Sequence, residues 1–311
     1  MPKKASPSLC DWSADRLKSY AVWEFVPVLI KQITIVGTGL IGGSLALALR
    51  KQGFGGEVVG CDKRSVLDTA IERHALDRGE ADLERAVVGS DVIVFATPVG
   101  TILSQFEAIA PTLPPATLIA DTGSTKQKFV ERARMIFGAD AGRRVLPGHP
   151  MAGKEFRGVE HADADLFQGA VWLITPIVAD QQQTPLQEEY TALLKGIGAS
   201  IIVLDPERHD VVCAWISHLP QMISTALTSV LREELGDDET VRMIGGRALR
   251  EMTRIGHSPY SMWRDIALTN SENIEDVMLR FEQQMMHLRE SLKGPGLREM
   301  FESANKFGQG G

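Results

Sequence analysis

The chain has 311 residues, 44% of them hydrophobic and 23% charged, with a formal net charge of −7. That length predicts about two domains with cores of their own, and the acidic balance excludes a general binder of nucleic-acid backbones. The three cysteines, Cys10, Cys61 and Cys213, stand far apart with no CxxC pair, which argues against a disulfide framework or a zinc site and for a reducing cytoplasm.

Residues 1–30 read as an N-terminal extension. Their apolar stretch, 21–30, is short, carries Glu24 and Pro27, and lacks the shape of a signal peptide. No apolar run is long enough to span a bilayer. Residues 33–36 form the first predicted strand and end at a glycine turn. A helix of small and apolar residues follows over 40–50. Further strands are predicted over 57–61, 92–96 (VIVFA) and 118–120, with helices over 65–73 and 126–137 between and after them. Runs at 144–146, 171–174 and 201–204 read as additional strands. Apolar strands alternating with helices predict an α/β fold, a parallel, doubly wound sheet of the Rossmann type over residues 31–205. After Pro206 the texture changes. Helical patterns cover 210–234, 241–255, 263–269 and 273–292 without a strand run, which predicts an all-helical C-terminal domain over 206–311. Residues 211–231 are apolar on more than one face, as in a helix buried in its own domain or one covered by a second copy.

Gly37, Gly39 and Gly42 form G-x-G-x-x-G directly after a strand and at a helix start. The first glycine permits the tight turn, the second a close approach of the backbone to a pyrophosphate, and the third close packing of helix on strand. Leu40 and Ile41 lie in the helix's first turn, where free N–H groups and the positive dipole end favour phosphate. Asp62 stands about 20 residues beyond, at the end of the second strand, where a carboxylate accepts ribose hydroxyls and repels a 2′-phosphate. NAD is therefore the expected cofactor. NADP stays open because Lys63 and Arg64 follow immediately. Thr97 and Pro98 close the VIVFA strand and fall on the cofactor crevice, since strand C-termini line it.

Four further segments stand out: DTGSTK (121–126), GHPMAGKEFRG (148–158), SHLPQ (217–221) and WRDI (263–266). Each has a structural reading by itself: a histidine in a Pro/Gly loop, a helix cap followed by a solvated lysine, a kinked helix, a surface ion pair. In this order, and behind GTGLIGGS (37–44), they resemble the prephenate/arogenate dehydrogenases of tyrosine biosynthesis over roughly residues 32–300.

The resemblance implies oxidation of a small anionic cyclohexadienyl substrate. Hydride leaves the carbinol carbon, carbon dioxide leaves the opposite ring carbon, and the ring becomes aromatic. It places the acceptor of the hydroxyl proton at His149, a role that suits a neutral histidine near pH 7. Ser124 is expected to hydrogen-bond the substrate hydroxyl or His149, and Arg264 to hold a carboxylate through two parallel hydrogen bonds. His218, Gln221 and Glu155 are expected around the substrate, and Lys126 behind the loop that carries Ser124. Many relatives carry histidine where Gln221 stands, so prephenate and arogenate both remain open. The absence of an added carboxylate to pair an ammonium tilts the reading to prephenate. A homodimer through the helical half and a cytoplasmic location are also implied, with no metal. The stretch before Lys31 is too short for a fused mutase domain, and no C-terminal regulatory domain is expected.

Two rival readings have their own signatures. A β-hydroxyacid dehydrogenase would place a catalytic lysine on the helical domain, but after Pro206 only Lys293 and Lys306 occur, both near the end. A non-catalytic dinucleotide sensor would keep the glycine turn and Asp62 but have no need of Ser124, His149 and Arg264 together.

Overall fold

The computed structural model describes residues 28–154, 156–236 and 238–308. Nearly all of the expected N-terminal extension, together with Glu155, lies outside the described residues.

Six strands, β1 (Gln32–Val36), β2 (Glu57–Cys61), β3 (Arg78–Glu80), β4 (Val92–Phe95), β5 (Leu118–Asp121) and β6 (Val145–Leu146), form one sheet in the order β3-β2-β1-β4-β5-β6. Every pairing is parallel. Helices α1 (Leu40–Lys51), α2 (Arg64–Glu72), α3 (Leu83–Ala86), α4 (Val99–Ile109), α5 (Gln127–Phe137) and α6 (Ala141–Arg144) make the crossovers. From β1 the chain adds β2 and β3 to one side and β4, β5 and β6 to the other, so the order of winding reverses between β1 and β4. That reversal opens the crevice in which doubly wound sheets bind ligands.

The strands are buried on both faces. On β4, Val92 and Val94 enter one core with Ile33, Ile35, Leu45 and Leu49, while Ile93 and Phe95 enter another with Ile102, Phe106 and Phe129. Phe106 meets Phe95 edge-on and Phe129 at a tilt, at ring-centre distances of 6.3 and 4.8 Å. Burying each such side chain stabilises the fold by about 1.5–3 kcal/mol.

The run 171–174 does not extend the main sheet. It is the middle strand of a second sheet, β7 (Gly148–Pro150), β8 (Val171–Ile174) and β9 (Ser200–Val203). The segment 148–150, expected as a loop, is thus a strand antiparallel to β8, with His149 opposite Leu173. β9 pairs parallel to β8 at the sheet's edge and leaves Ile202 and Val203 exposed. Helix α7 (Pro185–Gly196) precedes β9 and opens with a capping box between Thr184 and Gln187.

From Pro206 onward the described chain is helical. Asp205 accepts from the Glu207 and Arg208 amides and so caps α8 (Pro206–Cys213). The single helix expected over 210–234 is interrupted: α8 passes through a π-helical turn, Ala214–His218, into α9 (Leu219–Leu235). Pro220 has no N–H to give, and the wider turn just before it accommodates that loss. Gly245 and Gly246 likewise split the expected helix 241–255 into α10 (Glu239–Ile244) and α11 (Arg247–Arg254). Then follow α12 (Tyr260–Thr269), α13 (Ser271–Ser291) and α14 (Gly296–Gly308). Ala214, Leu219 and Val277 form a small core here with Ile223 and Phe281, whereas Trp215, Ile216 and Val230 are exposed.

Candidate active site

The glycine turn follows β1 at the switch point. Gly37 has φ +96°, and a Cβ there would stand 2.7 Å from the backbone of Ala96 and Thr97. A Cβ on Gly42 would meet the Gly37 carbonyl at 1.9 Å, so β1, the turn and α1 pack at backbone contact. A Cβ on Gly39 would meet nothing within 4 Å and points into open space. No side chain caps α1. The amides of Leu40, Ile41 and Gly42 therefore remain available to an anion at the helix's positive end.

Asp62, at the end of β2, accepts the Thr38 amide on Oδ2 (2.8 Å) and the Lys63 amide on Oδ1 (2.7 Å). Oδ2 also receives the Thr38 hydroxyl at 3.5 Å, so Oδ1 keeps the clearer acceptor capacity for a ribose hydroxyl. The Lys63 and Arg64 side chains are exposed. Thr97 and Pro98 leave β4 beside Gly37, and Thr97 Oγ1 donates to Gln105 Oε1 at 2.9 Å.

The second half of the site is built around Asp121, buried at the end of β5. It accepts the Gly123 amide (2.8 Å) and the Gly148 amide (3.1 Å), and it pairs with the buried Lys126 ammonium. One carboxylate thereby fastens the turn carrying Ser124 to the strand carrying His149. Ser124 is half-buried, and among the described residues no hydrogen bond joins it to His149.

His149 is 8% exposed. Its Nδ1 lies 2.9 Å from Nε2 of His209, whose Nδ1 lies 2.8 Å from Oδ1 of Asp210. Burial, reinforced by His209, Lys126 and His218, holds the His149 imidazole well below the ordinary histidine value. Burial also holds His209 low, against the pull of Asp210. Asp210 accepts the amides of Lys126 (2.8 Å) and Gln127 (2.9 Å) at the start of α5. His209 and Asp210 were not among the expected site residues. Their partners lie 60 and more positions away along the chain, and a local pattern does not show such pairs.

Cys213 Sγ stands 3.6 Å from His209 Nε2 and 3.9 Å from His149 Nδ1, so three metal-ligating atoms cluster where cysteine spacing gave no sign of it. Two nitrogens on a tetrahedral zinc, each about 2.0–2.1 Å from the ion, lie roughly 3.3 Å apart. The observed 2.9 Å is a direct hydrogen bond. Burial and Asp210 also push the Cys213 thiol up to about 12, which keeps it protonated.

Asn270 connects this group to the helical half. Its Nδ2 donates to the Asp210 carbonyl (2.9 Å) and lies 3.3 Å from His218 Nδ1. With Nδ1 accepting, His218 carries its proton on Nε2. Burial drives its value down to about 4. The His218 ring packs edge-on to Trp263, at 5.9 Å between centres. His218 Nε2 and Trp263 Nε1 are both buried without a hydrogen-bond partner among the described residues. Two such donors cost about 1–3 kcal/mol each if nothing meets them, and a polar ligand would. Gln221 is buried close by and donates to Thr225 Oγ1 (3.2 Å).

Arg264 uses Nε and Nη2 on Asp265 Oδ1, at 2.9 and 2.7 Å. Asp265 is buried and accepts the Gly100 amide at 3.0 Å, which docks α12 on the first turn of α4 beside Pro98. The Arg264 side chain is exposed, and the ion pair with Asp265 fixes its orientation. Its outer edge, Nη1 and the second Nη2 hydrogen, makes no hydrogen bond among the described residues.

A switch-point glycine turn, a carboxylate placed for ribose and a buried neutral histidine on the adjoining strand are the equipment of a dinucleotide-dependent oxidoreductase. Comparison with known proteins gives the family. The model of the prephenate dehydrogenase nucleotide-binding domain matches residues 45–203, and that of the prephenate dehydrogenase dimerization domain matches residues 205–304. The prephenate dehydrogenase of Lactococcus lactis subsp. cremoris is 32% identical over 90% of this chain and 77% of its own length. The cyclohexadienyl dehydrogenase of Zymomonas mobilis is 30% identical over 89% and 95%. Among solved structures, prephenate dehydrogenase from A. aeolicus in complex with hydroxyphenyl propionate and NAD+ superposes with TM-score 0.79, at 28% identity over 91% of this chain and 96% of that one. This chain belongs to the prephenate dehydrogenase family. The resemblance drawn from the motifs is thereby borne out, as are the Rossmann-type sheet and the helical C-terminal half.

Proposed function

We propose that the protein catalyses the NAD-dependent oxidative decarboxylation of prephenate to 4-hydroxyphenylpyruvate in tyrosine biosynthesis. The observation that carries this reading is His149, a neutral imidazole buried beside the end of β5 and tied to the same carboxylate as the Ser124 turn. The residues fit the cofactor: the open space at Gly39, the uncapped α1 and the Asp62 carboxylate suit pyrophosphate and ribose. When bound, the nicotinamide supplies the acceptor for hydride from the substrate's carbinol carbon.

His149 takes the hydroxyl proton as the carbinol is oxidised, with Ser124 holding the oxygen. Arg264 holds the ring carboxylate through its outer edge. When the bond to that carboxylate breaks, its electron pair passes into the ring and carbon dioxide leaves. The ring oxygen regains a proton and becomes the phenol. His218, Gln221 and Trp263 line the side-chain end of the substrate, where the unmatched N–H donors suit its keto acid.

The division proposed is a dinucleotide-binding domain over 31–205 and a helical substrate-binding and dimerisation domain over 206–311, following the N-terminal extension 1–30. A homodimer is supported by the dimerization-domain match and by the exposed Trp215, Ile216 and Val230 beside a small core. Among the described residues no helix is long and apolar enough to cross a membrane. A cytoplasmic location is supported by Cys61 and Cys213 standing unpaired. A second reading, arogenate or both substrates, is favoured by the likeness to a cyclohexadienyl dehydrogenase and by Gln221.

Incubation with prephenate and NAD tests the proposal: one NADH and one carbon dioxide are expected per 4-hydroxyphenylpyruvate. Product without reduced cofactor would contradict it. For the cofactor, Asp62→Ala is expected to lower kcat/KM for NAD by about 10–100-fold, the equivalent of a lost charged hydrogen bond, and to improve relative use of NADP. A wild type that already prefers NADP overturns the role given to Asp62. The pH profile follows from the base. Because burial lowers the His149 value, the active neutral form persists as pH falls past 6.5, the ordinary histidine value. The acid limb of kcat/KM should therefore lie below that pH. A midpoint above it contradicts the assignment.

A further inference from the structure

We propose that His209, backed by Asp210, is a positioning residue that holds His149 in the Nδ1–H tautomer and leaves Nε2 bare toward the substrate. The inference rests on His149 being the proton acceptor, as proposed above.

Both Asp210 oxygens already accept main-chain amides at the start of α5, and the positive end of that helix favours an anionic carboxylate. Asp210 therefore accepts from His209, and the His209 proton sits on Nδ1. A neutral imidazole with its proton on Nδ1 has only a lone pair at Nε2. Nε2 faces His149 Nδ1 at 2.9 Å, so His149 must be the donor and carry its proton on Nδ1. The lone pair of His149 is then at Nε2, the nitrogen away from this chain of bonds. A proton acceptor needs that lone pair. The opposite tautomer would set two lone pairs against each other at 2.9 Å and turn the base into a donor toward the hydroxyl.

The chain also prepares the charged state. When His149 takes the substrate's proton, the cation is met at Nδ1 by His209 and, behind it, by the Asp210 charge. The group is enclosed: His209 and Asp210 are fully buried, and the protonated Cys213 thiol flanks the bond between the rings. Asp210 has a second duty. The amides it accepts belong to Lys126 and Gln127, directly after the Ser124 turn, so one carboxylate aligns the base and the turn that holds the substrate oxygen.

The test combines kinetics with nitrogen-15 NMR of histidine-labelled full-length protein, the His149 signal being assigned by its loss in His149→Asn. In wild type the His149 shifts are expected to report Nδ1–H. A wild-type Nε2–H signature overturns the proposal whatever the activity is, and so separates its failure from failure of the functional reading. His209→Ala is expected to lower kcat by about 10–100-fold, a part of what losing an orienting partner costs in a catalytic triad. The KM values for both substrates should move less than about 3-fold, and the His149 signal should shift toward Nε2–H. His209→Gln can still accept from His149 through its carboxamide oxygen and is expected to keep the tautomer and more of the rate. An alanine variant with unchanged kcat and an unchanged tautomer contradicts the role. Should the alanine variant fail to fold, the wild-type spectrum and the glutamine variant still decide.

Discussion

Replacing His149 with asparagine is expected to lower kcat by about 10²–10⁴-fold, the span of a lost acid–base group. The substitution is chosen for its geometry. The asparagine amide nitrogen takes the place of Nδ1 and can still donate to His209, so the packing around β7 is kept. What disappears is the atom at the Nε2 position, and with it the acceptor for the hydroxyl proton. Cofactor affinity, read from quenching of protein fluorescence by NADH, should stay within about 3-fold, because the glycine turn and Asp62 lie on other strands. Near-normal turnover in this variant would remove His149 from its role.

Arg264→Ala carries the second large effect. A guanidinium edge on a carboxylate makes two charge-assisted hydrogen bonds, so KM for the cyclohexadienyl substrate should rise about 10–100-fold. The hydride leaves the ring carbon opposite that carboxylate, so kcat should fall much less. Asp265 is central to this expectation. It fixes Nε and Nη2 and is itself held by the Gly100 amide, so the guanidinium is oriented before substrate arrives. Arg264→Lys keeps the charge and loses the planar fork, and should fall between wild type and alanine. An unchanged KM in Arg264→Ala would show that the ring carboxylate is held elsewhere.

Much of the fold was legible because its signals are local. The central strands are apolar runs, the turn after β1 announces itself by three glycines, and the change of texture at Pro206 coincides with a capped helix start. The parts that could not be read depend on distant partners. Gly148–Pro150 has no strand pattern and extends only because β8 lies beside it. The split into two sheets is equally invisible, since 171–174 would read the same in either. The π-helical turn at Ala214–His218 sits inside a continuous helical pattern.

The site divides in the same way. The cofactor half was legible because turn, helix start and acidic residue have fixed spacing. On the substrate side, His149, His218 and Arg264 came from motif resemblance, and their supports were missed. Asp121, Asp210, Asp265 and Asn270 act on residues from other segments, through pairs that only the folded chain brings together. Arg264 and Asp265 are neighbours in sequence and look like a surface pair. The Asp265 contact with Gly100 anchors the pair to the first turn of α4.

These residues are proposed to serve an NAD-dependent oxidation of prephenate. The most direct measurement is kcat/KM for prephenate and for arogenate, each with NAD and with NADP, on the full-length protein. The highest value is expected for prephenate with NAD. A clear preference for arogenate with NADP would contradict both the substrate drawn from the site and the cofactor drawn from Asp62.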